Sequence, residues 1–280
     1  MEERRMDIKR MQAFRKYLVS EEKSEATVEK YTRDVRRFSD FAGSAPLSKE
    51  TVLRYKSQLG SSYAVASANS MLAAVNAFLR FCGWEDLCVK QFKMQRQVYC
   101  PEEKELTREE YFRLLDTANR NRNRRLSLII QTICATGIRV SELQYITVAA
   151  LCKGEAVVNC KGKNRRIFII PQLKKKLLQY IKEQNILSGA IFVTRKGNPI
   201  SRCNIWREMK NLCVQARVSP GKVFPHNLRH LFARTFYGIE KDIAKLADIL
   251  GHASINTTRI YIVTTGIEHR RKMEHMRLVL

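Results

Sequence analysis

The segment from Phe224 to Tyr261 constrains this chain most, because its pattern requires helices that bring polar side chains together. His226 and Arg229 are three residues apart, so a helix over residues 227–237 would place both on one face at its amino-terminal end. The helix dipole and free N–H groups favour an anion at that end. An arginine there can hold a phosphate through two hydrogen bonds. The pattern therefore predicts an anion site.

The second half of the segment predicts a helix that ends beside a histidine. Leu246, Ile249 and Leu250 form the apolar stripe of that helix. Gly251 ends it as a C-cap. His252 is then expected on the turn that follows.

Tyr261 closes the segment and supplies a candidate nucleophile. A short helical stretch that starts at residues 256–258 is predicted to present this tyrosine with its hydroxyl exposed. A phenol is a poor nucleophile at neutral pH because its ordinary pKa is about 10. Nearby positive charge would favour the phenolate, and guanidinium groups would stabilise the charge that develops on a phosphate under attack.

The order of these residues resembles the catalytic signature of tyrosine recombinases, the integrase and Xer family. The family pattern H-x-x-R, then L-G-H, then T-T-x-x-Y is present at residues 226–229, 250–252 and 257–261. An earlier block, A-T-G-x-R-x-x-E-L, is present at residues 135–143 and contains Arg139. Glu142 of that block is expected to orient Arg139 or a neighbouring base; the alternative is an exposed i,i+3 pair with Arg139.

The family also has a lysine on a β-turn between these two halves. Residues 159–163 read N-C-K-G-K, and Lys161 fits the family's K-G register better than Lys163. The resemblance thus implies six catalytic residues, which are Arg139, Lys161, His226, Arg229, His252 and Tyr261. His230 and His269 stay outside this set because a lone histidine is more often structural or solvated.

The resemblance implies DNA cleavage and rejoining through a covalent 3′-phosphotyrosine. The two arginines would hold the non-bridging oxygens, the histidines would bind the phosphate or manage the tyrosine's proton, and the lysine would protonate the departing 5′ oxygen. The covalent bond conserves the energy needed for rejoining, so no metal, ATP or other cofactor is expected. The expected partners are double-stranded DNA with short inverted-repeat core sites and a homotetramer on two duplexes, with no membrane partner.

The expected fold is mainly α with a small β-sheet in the catalytic domain. Helical periodicity predicts a four-helix bundle over residues 1–90, which the resemblance identifies as a core-binding domain that closes over DNA. A polar and basic stretch at 91–104 is predicted to be an interdomain linker. Residues 105–280 are expected to form an α+β catalytic domain of the recombinase type.

Several elements are predicted inside the second domain. Thr107 opens a capping box, and a buried helix follows from about Leu126 to Thr136. A hairpin is predicted from strands at 155–160 and 166–170 with a basic tip at 161–165. Further predictions are a helix at 171–183, a helix capped by Ser201 that runs to about Ala216, a short β element at 191–193, and a tail helix at 267–280. The tail helix would pack on its own domain or, as such tails often do in the family, dock into a neighbouring protomer.

The charge agrees with a polyanionic partner. Lys and Arg number 51 against 27 Asp and Glu, a formal net charge of +24. Residues 1–100 hold 18 basic and 12 acidic side chains, whereas residues 101–280 hold 33 and 15. A generically soluble basic protein or a membrane-surface binder also fits the charge alone. No long apolar run or signal segment is seen, so a cytoplasmic, nucleoid-associated protein is expected.

The cysteines and carboxylates favour neither zinc nor a metal-dependent nuclease. None of the eight cysteines forms a C-x-x-C pair, so buried reduced thiols are the preferred interpretation. A metal-dependent transposase or nuclease would need a carboxylate cluster, and the segment from His226 to Tyr261 has only scattered acids. A non-catalytic DNA-binding relative remains the other alternative.

Overall fold

A computed structural model describes residues 4–94, 102–160, 163–261 and 274–276. The chain divides into two compact units, residues 1–96 and 97–280. Helices dominate both units, and the strands pair into a two-stranded sheet, so the predicted mainly helical fold is confirmed. None of the described helices has the length and apolar character needed to span a membrane.

The first unit contains the four predicted helices. They are α1 (Ile8–Ser20), α2 (Glu25–Ala42), α3 (Lys49–Ser62) and α4 (Val65–Phe81), followed by a 3₁₀ segment (Glu85–Leu87). Their apolar faces share one core in which Phe14, Phe38 and Phe78 are fully buried. The side chains of Asp7 and Ser48 cap α1 and α3 by accepting backbone N–H groups of the first turn.

Two buried asparagines of α4 hold the chain that follows the bundle. Asn76 pairs with both backbone groups of Val89, at 2.8 and 3.0 Å. Asn69 does the same for Phe92, at 2.9 and 2.8 Å. The ring of Phe92 also fills the space beside Gly60, where an added Cβ would lie 2.9 Å from the ring. The first residues of the predicted linker therefore lie against α4.

The second unit combines helices with one β-hairpin. Its helices before the hairpin are α5 (Arg108–Arg120), α6 (Arg124–Thr136) and α7 (Val148–Lys153), with a 3₁₀ segment at Val140–Tyr145. The helices after it are α8 (Pro171–Glu183), α9 (Arg202–Ala216), α10 (Pro225–Glu240), α11 (Ile243–Leu250) and α12 (Ile255–Arg259). The buried face of α6, with Ile129, Ile130 and Ile133, lies in the core of this unit.

The hairpin is formed by β1 (Glu155–Cys160) and β2 (Lys163–Phe168), which pair antiparallel from Glu155 opposite Phe168 to Cys160 opposite Lys163. The predicted basic tip at 161–165 was therefore too long. Residues 163–165 belong to β2 because ladder pairing continues past Val158, which lies opposite Arg165.

The predictions for residues 191–193 and for the tail at 267–280 were not confirmed. Residues 191–193 were predicted to be a short β element, but they do not form a strand in the described part of the unit. Single β-bridges pair Thr147 with Ala190 and Val193 with Pro199 instead. Such bridges form because the segment contacts two separate loops, and each contact is too short for a ladder. Of the predicted tail helix at 267–280, only residues 274–276 are described, and Lys161 also lies outside the described residues.

Candidate active site

Helix α10 places His226 and Arg229 among its first five residues. The helix begins at Pro225, whose missing N–H is not needed at that position. His226 is exposed, whereas Arg229 is only 1% exposed. Desolvation, together with the charges of Arg229 and Arg139, lowers the pKa of His226 below its ordinary value.

Arg229 joins the ends of two other helices. One Nη donates to the carbonyl of Gly137, and the other donates to the carbonyl of Leu250 at 2.6 Å. These carbonyls lie at the carboxyl ends of α6 and α11, where helix carbonyls lack partners within their own helix. A fully buried guanidinium therefore holds the chain ends on which the other site residues lie.

The charge of Arg229 has no carboxylate partner among the described residues, and its Nε is buried without a hydrogen-bond partner there. Burial, followed by the charge of Arg139, lowers the pKa of Arg229 to about 10, so its guanidinium is still charged at neutral pH. A buried cation with mainly neutral partners is poorly compensated. The site is therefore set up to accept an anion.

Arg139 follows directly from the end of α6. Gly137 ends that helix with a φ of +62°, and a Cβ at this position would lie 2.5 Å from the Phe232 ring. Glu142 accepts from the Arg139 backbone N at 2.9 Å and from its Nη1 at 2.8 Å. The other Nη of Arg139 donates to the carbonyl of Gly251 at 3.2 Å. Glu142 is only 4% exposed, so the orienting contact is confirmed and the exposed pair is wrong.

His252 lies on the turn after α11, as predicted, because Gly251 ends the helix in the left-handed conformation. Its Nε2 is 3.1 Å from Nη2 of Arg229, and its Nδ1 is 2.8 Å from the hydroxyl of Thr258. An arginine can only donate, so Nε2 is the acceptor and Nδ1 carries the proton. Burial, followed by the charge of Arg229, lowers the pKa of His252 to about 4.

Tyr261 is a buried residue, at 6% exposure, although an exposed hydroxyl was predicted for it. Its ring stacks on His230 with centroids 4.2 Å apart, and the rings of His226 and His252 lie 5.2 and 5.1 Å away. The guanidinium carbon of Arg229 is 5.9 Å from the ring centre. Tyr261 is enclosed because α12 packs against α11 and carries the ring into a cluster with Ala233, Leu246 and Leu250.

Two residues of this region were missed by sequence reasoning. His230 lies four residues after His226, on the same face of α10, and that spacing is the signal that could have placed it beside the tyrosine. Arg165 was assigned only to the basic tip of the hairpin, yet its side chain is 9% exposed and pairs with Glu142. Alternation along β2 was the signal there, because Arg165 is two residues before buried Ile167.

The histidines beside Tyr261 give a prediction that NMR can check. Burial lowers the pKa of both His230 and His252 to about 4, so each ring should be neutral at pH 7 and protonate only near pH 4. The unfolded chain would take up these protons near pH 6.5. The contribution of both groups to stability should therefore be lost as pH falls from about 6.5 to about 4.

The measurement is a titration of the histidine ring ¹³C–¹H signals, assigned with His230→Gln and His252→Gln. The same chain unfolded in urea is the control and should titrate near the ordinary value. Folded-state midpoints near 6.5 for these two rings would contradict the prediction.

Among residues 4–94, 102–160, 163–261 and 274–276, no group of three or more His, Cys, Asp or Glu side chains is arranged to hold a metal ion. Beside Arg139 and His226 lies a cavity of about 790 Å³. Helix α9 forms another wall of it with Arg202, Trp206 and Arg207. The site thus opens onto a basic groove with an aromatic side chain.

Comparison with known proteins gives the family of the chain. Residues 104–265 match the phage integrase family, and residues 11–86 match the phage integrase N-terminal SAM-like domain. Tyrosine recombinase XerA of Thermococcus kodakarensis is 33% identical over 274 residues, which cover 94% of this chain and 93% of that protein.

Solved structures share the fold. XerH site-specific recombinase, bound to its difH substrate in a pre-cleavage complex, superposes with a TM-score of 0.70 at 17% identity, covering 95% of this chain and 84% of that one. A lambda integrase dimer bound to a COC′ core site gives a TM-score of 0.73 at 17% identity, covering 91% and 94%. Both parts of the chain match models of this family in sequence, and the chain has the fold of the solved recombinases. The chain therefore belongs to the phage integrase family and is a tyrosine recombinase, an enzyme that cleaves and rejoins DNA at specific sites.

Proposed function

We propose that Tyr261 is the nucleophile and that Arg139, Lys161, His226, Arg229 and His252 are the other catalytic residues of this recombinase. The observation that carries the proposal is the meeting of Tyr261 with Arg229, a buried cation without a carboxylate partner among the described residues. Arg139 donates to the carbonyl of Gly251, next to the Leu250 carbonyl that Arg229 holds, and His252 is hydrogen-bonded to Arg229 itself. A scissile phosphate between these groups would supply the missing anion.

The chemistry follows from what each group can do. The Tyr261 oxygen attacks phosphorus, the bond from phosphorus to the 5′ oxygen breaks, and the tyrosine is left with the 3′ phosphate. Arg229 and Arg139 stabilise the non-bridging oxygens in the transition state. The Tyr261 proton would pass to a neighbouring histidine. His252 carries its own proton on Nδ1, and its Nε2 lone pair, which accepts from Arg229 in the free site, would become available to accept a proton once Arg229 donates to the phosphate.

Lys161 would protonate the departing 5′ oxygen. This role comes from its K-G register alone, because the residue lies outside the described part of the chain. In the sequence, Lys161 and Gly162 are the two residues between the paired ends of β1 and β2. Rejoining is the reverse attack by a 5′ hydroxyl.

The domain assignment and the DNA partner extend this proposal. Residues 1–90 would form the core-binding domain, residues 91–104 the linker, and residues 105–280 the catalytic domain. The cavity between α9 and α10 would receive the DNA backbone next to the scissile phosphate, with Arg202 and Arg207 facing it. Phosphate contacts of this kind position a duplex and do not by themselves read sequence.

The expected target is a pair of duplexes with short inverted-repeat core sites, bound by four copies of the chain. The inverted repeat follows from symmetry, because two copies related by a two-fold axis present the same groups to both half-sites. The tail at 267–280 would link the protomers in trans. In the cell such a protein would be associated with the nucleoid and could serve a mobile element or resolve chromosomes.

The experiment is a covalent-adduct assay on genomic DNA, in which the protein itself selects the target site. The purified full chain is incubated with this DNA in EDTA and stopped with SDS, and the protein-linked fragments are sequenced at their attached ends. Adducts that cluster at a short inverted repeat are the expected result. A requirement for Mg²⁺ would favour a metal-dependent nuclease, and confirmed DNA binding without any adduct would favour a non-catalytic relative.

A further inference from the structure

Arg165 is a buried arginine outside the proposed catalytic set. It lies on β2 opposite Val158, on the face of the hairpin that also carries buried Ala156 and Ile167. One Nη donates to Glu142, and the other donates to the carbonyl of Ile249 at 2.9 Å. The arginine therefore ties the hairpin both to the 3₁₀ segment after Arg139 and to the carboxyl end of α11.

The aliphatic part of the Arg165 side chain also packs closely against Gly251. A Cβ built on Gly251 would lie 2.6 Å from Cδ of Arg165, so the arginine occupies the space that a side chain would need. Gly251 is the residue whose carbonyl accepts from Arg139 and whose turn leads to His252. Arg165 thus packs on the turn that connects two proposed catalytic residues.

Glu142 connects the two arginines directly. Its Oε1 accepts from the side chain of Arg139, and its Oε2 accepts from the backbone of Arg139 and from Arg165. Without Arg165, one buried carboxylate would face the guanidinium of Arg139 alone and offset its charge. With Arg165 present, two guanidiniums share one carboxylate, and the site keeps a net positive charge toward a phosphate.

We propose that Arg165 is a positioning residue for DNA cleavage, which holds Glu142 and the Gly251 turn so that Arg139 is oriented and its charge is available to the scissile phosphate. The inference rests on the proposed function of Arg139. Arg165 would not itself touch the DNA, because its side chain is buried and both of its Nη groups donate to groups of the protein.

Arg125 provides a matched control. It donates to a carboxylate, Glu208, at 2.7 Å and to a backbone carbonyl, Val193, at 2.9 Å, so it has the same two kinds of partner as Arg165. It lies in the first turn of α6, whereas the active site is at the other end of that helix. Arg125→Met therefore reports the cost of losing such an arginine away from the site.

The test is single-turnover cleavage of a nicked duplex that carries the site recovered in the adduct assay, at saturating protein. Two versions are used, one with the normal scissile phosphate and one with an uncharged methylphosphonate at that position. Arg165→Met is expected to slow cleavage of the phosphate by about 10- to 100-fold. On the methylphosphonate, which has no non-bridging charge for Arg139 to offset, the deficit should shrink to about threefold or less.

Arg125→Met should stay within about twofold of the unmodified chain on both substrates. Thermal unfolding and DNA affinity are measured for every variant, and Arg165→Lys is the second variant if Arg165→Met does not fold. A lysine keeps the charge but cannot reach both partners at once, so an intermediate deficit of about tenfold is expected on the phosphate.

Equal deficits on the two substrates would show that Arg165 matters only to the fold, and no deficit would show that it does not matter to cleavage. Either result overturns the inference. Failure of the proposed function is a separate outcome, because in that case the unmodified chain forms no adduct or Tyr261→Phe still forms one.

Discussion

Tyr261→Phe is expected to abolish the covalent DNA adduct while the folded protein still binds DNA. The substitution removes only the hydroxyl, and the ring that stacks on His230 and contacts His226 and His252 is kept. Without that oxygen no phosphotyrosine can form, so the rate of cleavage should fall by at least about 10⁴-fold. Binding should change by less than about threefold, because phosphate contacts elsewhere supply most of the affinity.

The measurement is single-turnover cleavage with detection of the protein–DNA adduct in SDS. Tyr237→Phe is the matched control, since Tyr237 packs on the same apolar cluster as Tyr261 but is carried by α10. That control should cleave at the rate of the unmodified chain. An adduct from Tyr261→Phe, with its attachment mapped to another residue, would show that the nucleophile has been assigned wrongly.

Arg229→Lys is expected to lower the cleavage rate by about 10²- to 10³-fold, the loss typical of a removed oxyanion donor. The exchange keeps a positive charge, so it tests geometry. Arg229 reaches the carbonyls of Gly137 and Leu250 with separate Nη groups, and one of these also lies 3.1 Å from His252. A lysine is a point charge on a flexible stem and cannot hold both helix ends at once.

The control for this prediction is Arg234→Lys. Arg234 lies on the same helix, five residues after Arg229, and pairs with Glu105 at a partly exposed position. The two variants should be compared in cleavage rate at saturating DNA and in the free energy of unfolding. Equal cleavage rates would mean that the two-point contact of Arg229 is unimportant for the reaction.

Most of the helices were predictable because their signals are local. The capping box at Thr107 and Glu110, the left-handed glycines at 137 and 251, and the apolar spacing of α2 and α11 each act within a few residues of the chain. Such signals operate through bonds and side chains that are neighbours in sequence. The helix bounds expected from them agree with those observed to within a few residues.

The register of the hairpin and the structure of residues 191–193 were harder to predict from the sequence. The strand pattern allowed a tip at 161–165, whereas the ladder continues to Cys160 opposite Lys163. Register depends on which cross-strand neighbours pack, and a run of basic residues resembles a turn until the burial of Arg165 is known. That burial depends on Glu142 and Ile249, which are 23 and 84 positions away in sequence.

The sequence by itself determined the family, most of the helices and the set of residues that we propose to bind and attack a phosphate, because motifs and helix signals lie in adjacent residues. Only the tertiary structure decided that Tyr261 is buried among three histidine rings and that Arg229 is a buried cation bridging two helix ends. The hydrogen bonds of Arg229 to Gly137 and Leu250 join residues that are 92 and 21 positions apart in the sequence. Contacts of that range depend on how whole helices pack, which no local pattern encodes.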